Sequence, residues 1–291
     1  MASLREIRKR VRSILSTQKI TGAMKLVAAS KLRRAQNAIL SVRPYANELG
    51  AMLQRLATRA DSHGSEAAHP LLEMREPRRV LLAVMTSDRG LCGAFNINIL
   101  RQAEHFIREH GSRFEKLTIA TIGRKGRDYF TKRKVATLRN YPNVFNELGY
   151  HKATNIAEGL CQDFIAHDLD AVYLLYNEFK SAMTQRVVVT DLLPIVHAEL
   201  PIGEDIDYIY EPNHSAVLNL LVPRYVATII WRALLESSAA EHGARMTAMD
   251  TATQNAKDLV SRLTLLYNRT RQAAITRELM EIVNGAEALK G

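Results

Sequence analysis

A chain of 291 residues in which 47% are hydrophobic can bury a sizeable core, so disorder over its whole length is excluded. Its two cysteines, Cys92 and Cys161, have no zinc or redox spacing, which indicates a reduced compartment. The net charge of +10 arises at one end, because residues 1–59 hold 13 Lys and Arg against two acidic residues. Such a block needs acidic surroundings.

Residues 1–58 predict one long helix. Gly22 is the only glycine before Gly50, and no proline precedes Pro44, so little interrupts a helix here. Steps of alternating four and three residues define a coiled-coil seam, the inner stripe of such a helix. Its members are Ile7, Val11, Ile14, Gln18, Thr21, Lys25, Ala28, Leu32, Ala35, Ile39, Val42, Ala46, Leu49, Leu53 and Leu56.

The polar members of this seam, at 18, 21 and 25, form a gap. Across the gap the apolar stripe moves to Ile20, Met24 and Val27. We therefore expect the polar side chains to leave the inner seam and to turn toward a partner.

The middle of the chain predicts a linker at 59–76 and an α/β domain at 77–212. Six of the eight prolines lie between Pro44 and Pro223, so this part turns often. Strands are predicted at 79–85, 117–122, 171–176 and 187–192, with helices to about 110, after the turn GRKG at 123–126, and near 155–167. Alternation of strand and helix favours a central Rossmann-like, mainly parallel sheet.

Residues 213–291 predict a second long helix, because no proline follows Pro223. Its seam comprises Met249, Ala252, Ala256, Leu259, Leu263, Leu266, Thr270 and Ala273. Neither long helix can bury its apolar stripe alone. The predicted fold class is therefore α/β with a long antiparallel coiled coil formed by the N-terminal and C-terminal helices.

The sequence lacks recognisable phosphate-binding, metal-binding and catalytic motifs. The turn GLCG at 90–93 has neither G-x-G-x-x-G nor a G-K-[ST] ending, and it is typical of a strand-to-helix turn. The nine histidines show no metal spacing, and no activated Ser or Cys nucleophile is visible. We expect no catalytic residue, metal or cofactor. No apolar run approaches the roughly 20 residues of a membrane span, so we expect a chain that is soluble by itself.

Three stretches together resemble the gamma subunit of F-type ATP synthase, the central-stalk rotor. They are ITGAMKLVAASK at 20–31, SDRGLCGAFN at 87–96, and ARMTAM at 244–249 with YNRTRQAAITRELMEIVNGA at 267–286. Their order and spacing and the chain length all agree, so the resemblance covers essentially the whole chain.

The resemblance implies that the coiled coil stands inside a ring of alpha and beta subunits, while the α/β domain forms a foot that meets the epsilon subunit and the c-ring. Ion flow, expected to be of protons, would turn the shaft and drive ATP synthesis in the ring. Met24 and Lys25 would face an acidic lever of beta, and Asp88, Arg89 and Cys92 would lie at that level. The implied rotor contacts are Met24, Lys25, Asp88, Arg89, Cys92, Arg271, Gln272, Thr276 and Glu278.

The match begins almost at residue 1, so we expect no presequence and a bacterial subunit at the cytoplasmic face of the inner membrane, held there only through the complex. One alternative is a nucleic-acid-binding coiled-coil protein that uses the basic first helix, with binding that falls steeply with salt. Tyr45 is the lone aromatic residue there, which counts against base stacking. A nucleotide-dependent enzyme is a third alternative, but it lacks a catalytic constellation.

Overall fold

The computed structural model describes residues 3–62, 69–166, 169–195, 211 and 213–288. The chain separates into two compact units, one of Met1–Ala28 with Met246–Gly291 and one of Ala29–Arg245. The elements, in chain order, are α1 (Leu4–Ser62), a 3-10 helix (Pro70–Leu72), β1 (Arg79–Met85), α2 (Phe95–His110), β2 (Lys116–Ile122), α3 (Arg124–Lys132), β3 (Thr137–Tyr141), α4 (Tyr150–Ala166), β4 (Ala171–Phe179), β5 (Gln185–Leu193) and α5 (His214–Ala288).

The unit of residues 29–245 is built on a five-stranded sheet of order β3-β2-β1-β4-β5. β1 pairs in parallel with β2 and with β4, and β2 pairs in parallel with β3. β5 returns antiparallel to β4. The predicted Rossmann-like, mainly parallel sheet is confirmed. The sequence analysis missed β3, a short edge strand whose residues are mostly half-buried and so lack an apolar run.

Helices cover both faces of this sheet. Side chains that alternate along β1 divide between two cores, since successive residues of a strand point to opposite faces. Leu81 and Met85 pack with α4 and the first part of α5, whereas Leu82 and Val84 pack with α2 and α3. α1 also lies on α5 in this unit, where a Cβ at Gly50 would come 3.3 Å from the Tyr225 ring.

The first part of α5 corrects the expectation that no apolar run has membrane length. Within Ser215–Gly285 an 18-residue window reaches a mean hydropathy of 1.3, and 44% of it is buried. Val222, Val226 and Ile230 are fully buried in the core against the sheet. By length and composition this stretch passes the test for a membrane span, and a core helix that is apolar on a wide face passes the same test.

In the other unit, the start of α1 and the end of α5 form an antiparallel pair. Residue numbers fall along α5 as they rise along α1, and the joined side chains are Arg8 with Tyr267, Thr21 with Thr253, and Lys25 with Asp250. The predicted antiparallel coiled coil of the two terminal helices is confirmed. α1 reaches Ser62, four residues into the predicted linker, and residues 63–68 of that linker lie outside the described residues.

The seam of α1 continues without a shift across its polar positions. Ile7 and Ala28 are buried, and Val11 and Ile14 are half-buried. Thr21 is also buried, at 9% exposure. The expectation that positions 18, 21 and 25 turn outward is wrong for Thr21; Gln18 is half-buried, and 41% of the Lys25 side chain is exposed. Polar side chains can stay inside a coiled coil when the opposite helix supplies partners, as Asp250 and Thr253 do here.

The seam of α5 differs from the predicted one at alternate positions. Leu263 is half-buried, but Leu259 and Leu266 are 44% and 47% exposed. Val260 and Tyr267 take the inner positions instead. The predicted seam positions and the observed ones, each one residue later, both hold apolar residues. The sequence pattern of α5 alone therefore could not decide which set faces inward. Contacts made by the partner helix decide it: Arg8 donates to the Tyr267 hydroxyl and its guanidinium lies 5.4 Å from the ring centroid.

Candidate functional site

The predicted rotor contacts fall into two groups that belong to the two different units. Met24 and Lys25 on α1, with Arg271, Gln272, Thr276 and Glu278 on α5, belong to the coiled-coil unit. Asp88, Arg89 and Cys92 belong to the sheet unit, in the loop between β1 and α2.

On the coiled coil, Met24 is half-buried and the Lys25 ammonium is held by its own chain. Lys25 Nζ lies 2.6 Å from Asp250 Oδ1, in a pair whose side chains are both largely exposed. An ion pair this exposed contributes about 0–1 kcal/mol. The four α5 residues are all exposed, and so are the neighbouring apolar side chains of Ile275 and Leu279.

Apolar residues also point outward from α1. Ile20, Leu26 and Val27 are each more than half exposed. The sequence analysis assigned Ile20 and Val27 to a displaced inner stripe, whereas the structure puts them on the outer surface. A coiled coil needs only its seam buried, so these side chains add nothing to its internal packing.

The loop from Thr86 to Ala94 is held by side chains that point into the sheet unit. Asp88 is 2% exposed, and its carboxylate accepts hydrogen bonds from three backbone N–H groups. The donors are Arg124 (2.8 Å), Asn143 (2.8 Å) and Phe145 (2.7 Å). Asp88 therefore ties the ends of β1, β2 and β3 together, which corrects its assignment as a direct partner contact.

Cys92 is likewise an internal residue of this loop. It packs with Phe95 and Ala240, and Asn96 donates to its sulfur at 3.2 Å. Burial, with a smaller contribution from Glu241, raises the pKa of the thiol. The side chain is 2% exposed, so its assignment as a direct partner contact is corrected too. Of the three loop residues predicted, only Arg89 is exposed.

A buried polar group on α5 fixes the other side of the loop. Arg245 Nη2 lies 2.6 Å from Glu241 Oε1 and donates to the Gly90 carbonyl at 3.1 Å. Arg245 Nη1 lies 3.2 Å from Nδ1 of His242. Burial raises the pKa of Glu241 against the opposing effect of Arg245. Burial, then the charges of Arg245 and Lys31, lowers the pKa of His242 to about 4.

No motif in the sequence predicts this group. Its only sequence signal is the spacing of Glu241 and Arg245, which puts the two on one side of a helix. Nothing in that spacing indicates burial or contact with a loop 155 positions away in sequence.

The loop lies at the position that binds ligands in many proteins of this topology. In a sheet of order 3-2-1-4, the chain leaves β1 toward one side and returns to β4 on the other, and ligands bind at the carboxyl ends of the strands there. Here the Asp88 carboxylate itself accepts the N–H of Arg124, the first residue of α3. A helix N-terminus is where a bound anion would lie, so the protein's own carboxylate takes that place.

Other candidate sites are sparse in the described residues. Within them, no group of three or more His, Cys, Asp or Glu is placed to hold a metal ion. A groove of about 710 Å³ lies in the sheet unit between α1, α4 and α5, with Tyr45, Tyr150 and Trp231 in its lining. None of the predicted rotor contacts lines that groove.

Comparison with known proteins gives one consistent family. The protein-family model described as ATP synthase matches residues 3–289. The ATP synthase gamma chain of Anaeromyxobacter sp. (strain Fw109-5) is 52% identical over 291 residues and covers 100% of both chains. The gamma chain of Geotalea uraniireducens (strain Rf4) is 49% identical over 293 residues, again with 100% of both chains covered.

Solved structures agree with the sequence relatives. A chain of the central stalk and c-ring of Tetrahymena thermophila mitochondrial ATP synthase is similar with a TM-score of 0.61 and 26% identity, over 80% of this chain and 99% of that one. A rotor chain of Euglena gracilis mitochondrial ATP synthase has a TM-score of 0.67 at 19% identity, over 94% and 98%, and shows the fold alone.

The chain has a Rossmann-like sheet unit and an antiparallel pair of terminal helices. Together with these matches, this fold defines the chain as an ATP synthase subunit. The chain belongs to the ATP synthase gamma chain family.

Proposed function

We propose that the chain is the central rotor shaft of an F-type ATP synthase, coupling transmembrane ion flow to ATP synthesis in a ring of alpha and beta subunits. The observation that carries this proposal is the similarity to bacterial gamma chains over the whole length of the chain. The antiparallel helix pair suits the role, since two helices that support each other resist bending better than one.

The chain transmits torque without catalysing a reaction of its own. In support, the carboxyl edge of the sheet is filled by internal contacts. The Asp88 carboxylate accepts three backbone N–H groups, and Arg245 binds the Gly90 carbonyl. At the start of α3, the Asp88 carboxylate occupies the position that a nucleotide phosphate would need.

The outer surface of the coiled coil contacts the catalytic ring. Met24, Lys25 and the exposed α5 residues Arg271, Gln272, Thr276 and Glu278 are the proposed contacts, and Arg89 is the contact from the loop. The exposed apolar side chains of Ile20 and Val27 support this, because contact with a partner removes them from water. Because the Lys25 ammonium is paired with Asp250, it can bind an acidic partner only if it contacts both carboxylates or breaks its ion pair with Asp250.

The sheet unit meets the epsilon subunit and the c-ring, and the complex holds the chain at the cytoplasmic face of the bacterial inner membrane. The segments 1–58, 59–76, 77–212 and 213–291 are the proposed functional divisions: coil helix, linker, foot and coil helix. The charge of residues 1–59 suits a carboxylate-rich partner. The relatives named above give the nucleic-acid alternative no support.

Reconstitution tests this function. Purified full-length chain is mixed with alpha and beta subunits from the same bacterium, and ATP hydrolysis is measured for each component and for the mixture. We expect no hydrolysis by the chain alone and assembly-dependent hydrolysis by the mixture. A pure chain that hydrolyses ATP, with the activity abolished by a point change in its own sheet unit, contradicts the non-catalytic role. Tight, salt-sensitive binding to DNA without binding to alpha and beta contradicts the rotor role.

A further inference from the structure

Leu91 combines a strained backbone with an exposed apolar side chain. Its backbone φ is 61°, in the left-handed region that side chains other than glycine rarely occupy. Its side chain is 64% exposed, so burial of the side chain does not offset the strain. A strained backbone at an exposed apolar residue is a feature that the fold does not require, and such outliers cluster at functional sites.

Two other described residues that are not glycine share a positive φ, and both are polar. Asn143, at φ 61°, is of a type that tolerates this region well. Lys134, at φ 58°, is an exposed residue just after α3. Leu91 is therefore the only apolar one of the three in the described part of the chain. Glycine would fit its backbone without strain.

The residues next to Leu91 hold it in a fixed position. The preceding carbonyl, of Gly90, accepts a hydrogen bond from the buried Arg245. The following residue, Cys92, is buried against Phe95 and Ala240. Because both neighbours are anchored in the sheet unit, the Leu91 side chain projects from an ordered loop. Presentation of this kind lowers the entropy that a partner must overcome on binding.

Basic residues lie in the loop and at the start of α3, which the loop contacts. Arg89 and Arg124 are exposed, and Lys125 lies beside the loop, with its Cε 3.9 Å from the position of a Cβ on Gly90. The Asp88 carboxylate does not neutralise them at the surface, since it is buried among backbone N–H groups. The loop and the start of α3 thus offer one exposed apolar side chain together with three basic residues.

We propose that Leu91 is a contact residue, whose side chain enters an apolar recess on a carboxylate-bearing surface of the alpha and beta ring. Arg89, Arg124 and Lys125 select the acidic surface, and the leucine supplies the apolar contact. Arg245 acts as a positioning residue that holds the loop. This inference rests on the proposed rotor function and adds a contact to it.

The test compares Leu91→Gly with the matched variant Lys134→Gly in the full-length chain. Both changes place glycine at a left-handed position, so both relieve backbone strain, but only the first removes the proposed contact. Leu91→Met, which keeps an apolar side chain of similar size, completes the set. For each chain we measure the melting temperature and the chain concentration that restores half-maximal ATP hydrolysis to alpha and beta subunits.

We expect melting temperatures that are unchanged or raised for both glycine variants. The half-saturating concentration rises roughly tenfold or more for Leu91→Gly, from loss of one buried apolar side chain. It stays near the wild-type value for Lys134→Gly and Leu91→Met. A lower melting temperature of Leu91→Gly alone means that the leucine serves the fold, and this overturns the inference.

Equal reconstitution by Leu91→Gly and Lys134→Gly, with an active wild-type chain, also overturns the inference and leaves the rotor function standing. Failure of the wild-type chain itself to restore hydrolysis counts against the rotor function, and with it against the contact. The wild-type arm therefore separates the two failures.

Discussion

His242 connects the loop contacts to pH. Its pKa in the folded chain is about 4, lowered from the ordinary 6.5. As pH falls, the unfolded chain therefore takes up a proton before the folded chain does. His242 leaves stability intact above about pH 6.5, and stability is then lost progressively down to about pH 4.

Replacing this histidine should remove its contribution to the pH dependence of stability. One pKa unit corresponds to about 1.4 kcal/mol, so wild type should lose up to about 3 kcal/mol relative to His242→Gln between pH 7 and pH 4.5. Urea unfolding at the two pH values measures the difference. Glu241, whose raised pKa acts in the opposite direction, is present in both chains. His105→Gln, at an exposed histidine, is the control, and equal pH slopes for wild type and His242→Gln contradict the prediction.

Asp88 should matter to stability and not to partner binding. In Asp88→Asn, the amide group replaces one carboxylate oxygen and faces a backbone N–H, either at Phe145 or at Arg124 and Asn143. A buried donor left without an acceptor costs about 1–3 kcal/mol. The urea midpoint of Asp88→Asn should fall accordingly, while Asp191→Asn, at an exposed residue of β5, changes little. An unchanged midpoint for Asp88→Asn shows that the three hydrogen bonds carry no net stability.

The polar seam makes the coiled-coil pair a good subject for a double-mutant cycle. The Thr21 and Thr253 hydroxyl oxygens lie 2.7 Å apart, and each hydroxyl also lies near a carbonyl of its own helix. Either single change to Val should lower stability by up to about 1 kcal/mol, because it removes one partner. The double change should restore or exceed wild-type stability, since two methyl groups then pack together.

Loss of helical circular dichroism in urea measures all four chains of this cycle. A coupling energy of about 0.5–1.5 kcal/mol is expected. Thr251→Val is the control, at an exposed threonine that bonds only to its own helix. Strictly additive single changes would mean that the two hydroxyl groups do not interact.

The seam of α5 also shows what a heptad pattern can decide. On α1 the heptad positions from Ile7 to Leu56 are the less exposed residues, whereas Ile20 and Val27, to which the stripe was predicted to move, are exposed. On α5, Leu259 and Val260 are adjacent, and so are Leu266 and Tyr267. An α-helix drifts about 20° per heptad, so either neighbour can face inward. The side chains of the opposite helix decide which one does.

The predicted role of Met24 depends on contact with the alpha and beta ring in the assembled enzyme. Met24 is half-buried, and the adjacent Lys25 is bonded to Asp250. Met24→Lys adds a cation with no partner on its own coiled coil, opposite the proposed acidic lever. An ion pair there holds one rotational position more tightly, with about 0–1 kcal/mol if exposed and more if partly dry.

The assembled enzyme with Met24→Lys should form normally, pump fewer ions per ATP hydrolysed, and show a higher activation energy for steady turnover. ATP-driven ion pumping in vesicles and turnover over a range of temperatures measure these effects. Met24→Leu, which keeps an apolar side chain of similar size, should behave as wild type. Unchanged pumping efficiency and temperature dependence would show that Met24 does not lie at the lever.

The architecture was predictable because its signals are local. Proline and glycine are scarce at the two ends, apolar residues follow the helical period there, and strands alternate with helices between them. β3 was not predicted because its half-buried residues lack an apolar run. The resemblance to the gamma subunit rested on motifs that could be read in order.

The roles of single residues in the site needed the tertiary structure. Asp88 and Cys92 share a motif with Arg89 and Leu91, yet the first two are buried and the last two are exposed. Burial depends on which distant elements meet the loop, here α3, the segment after β3, and α5. A sequence motif lists side chains without their surroundings. The contacts made by chain segments far apart in sequence determine whether each one supports the fold or faces a partner.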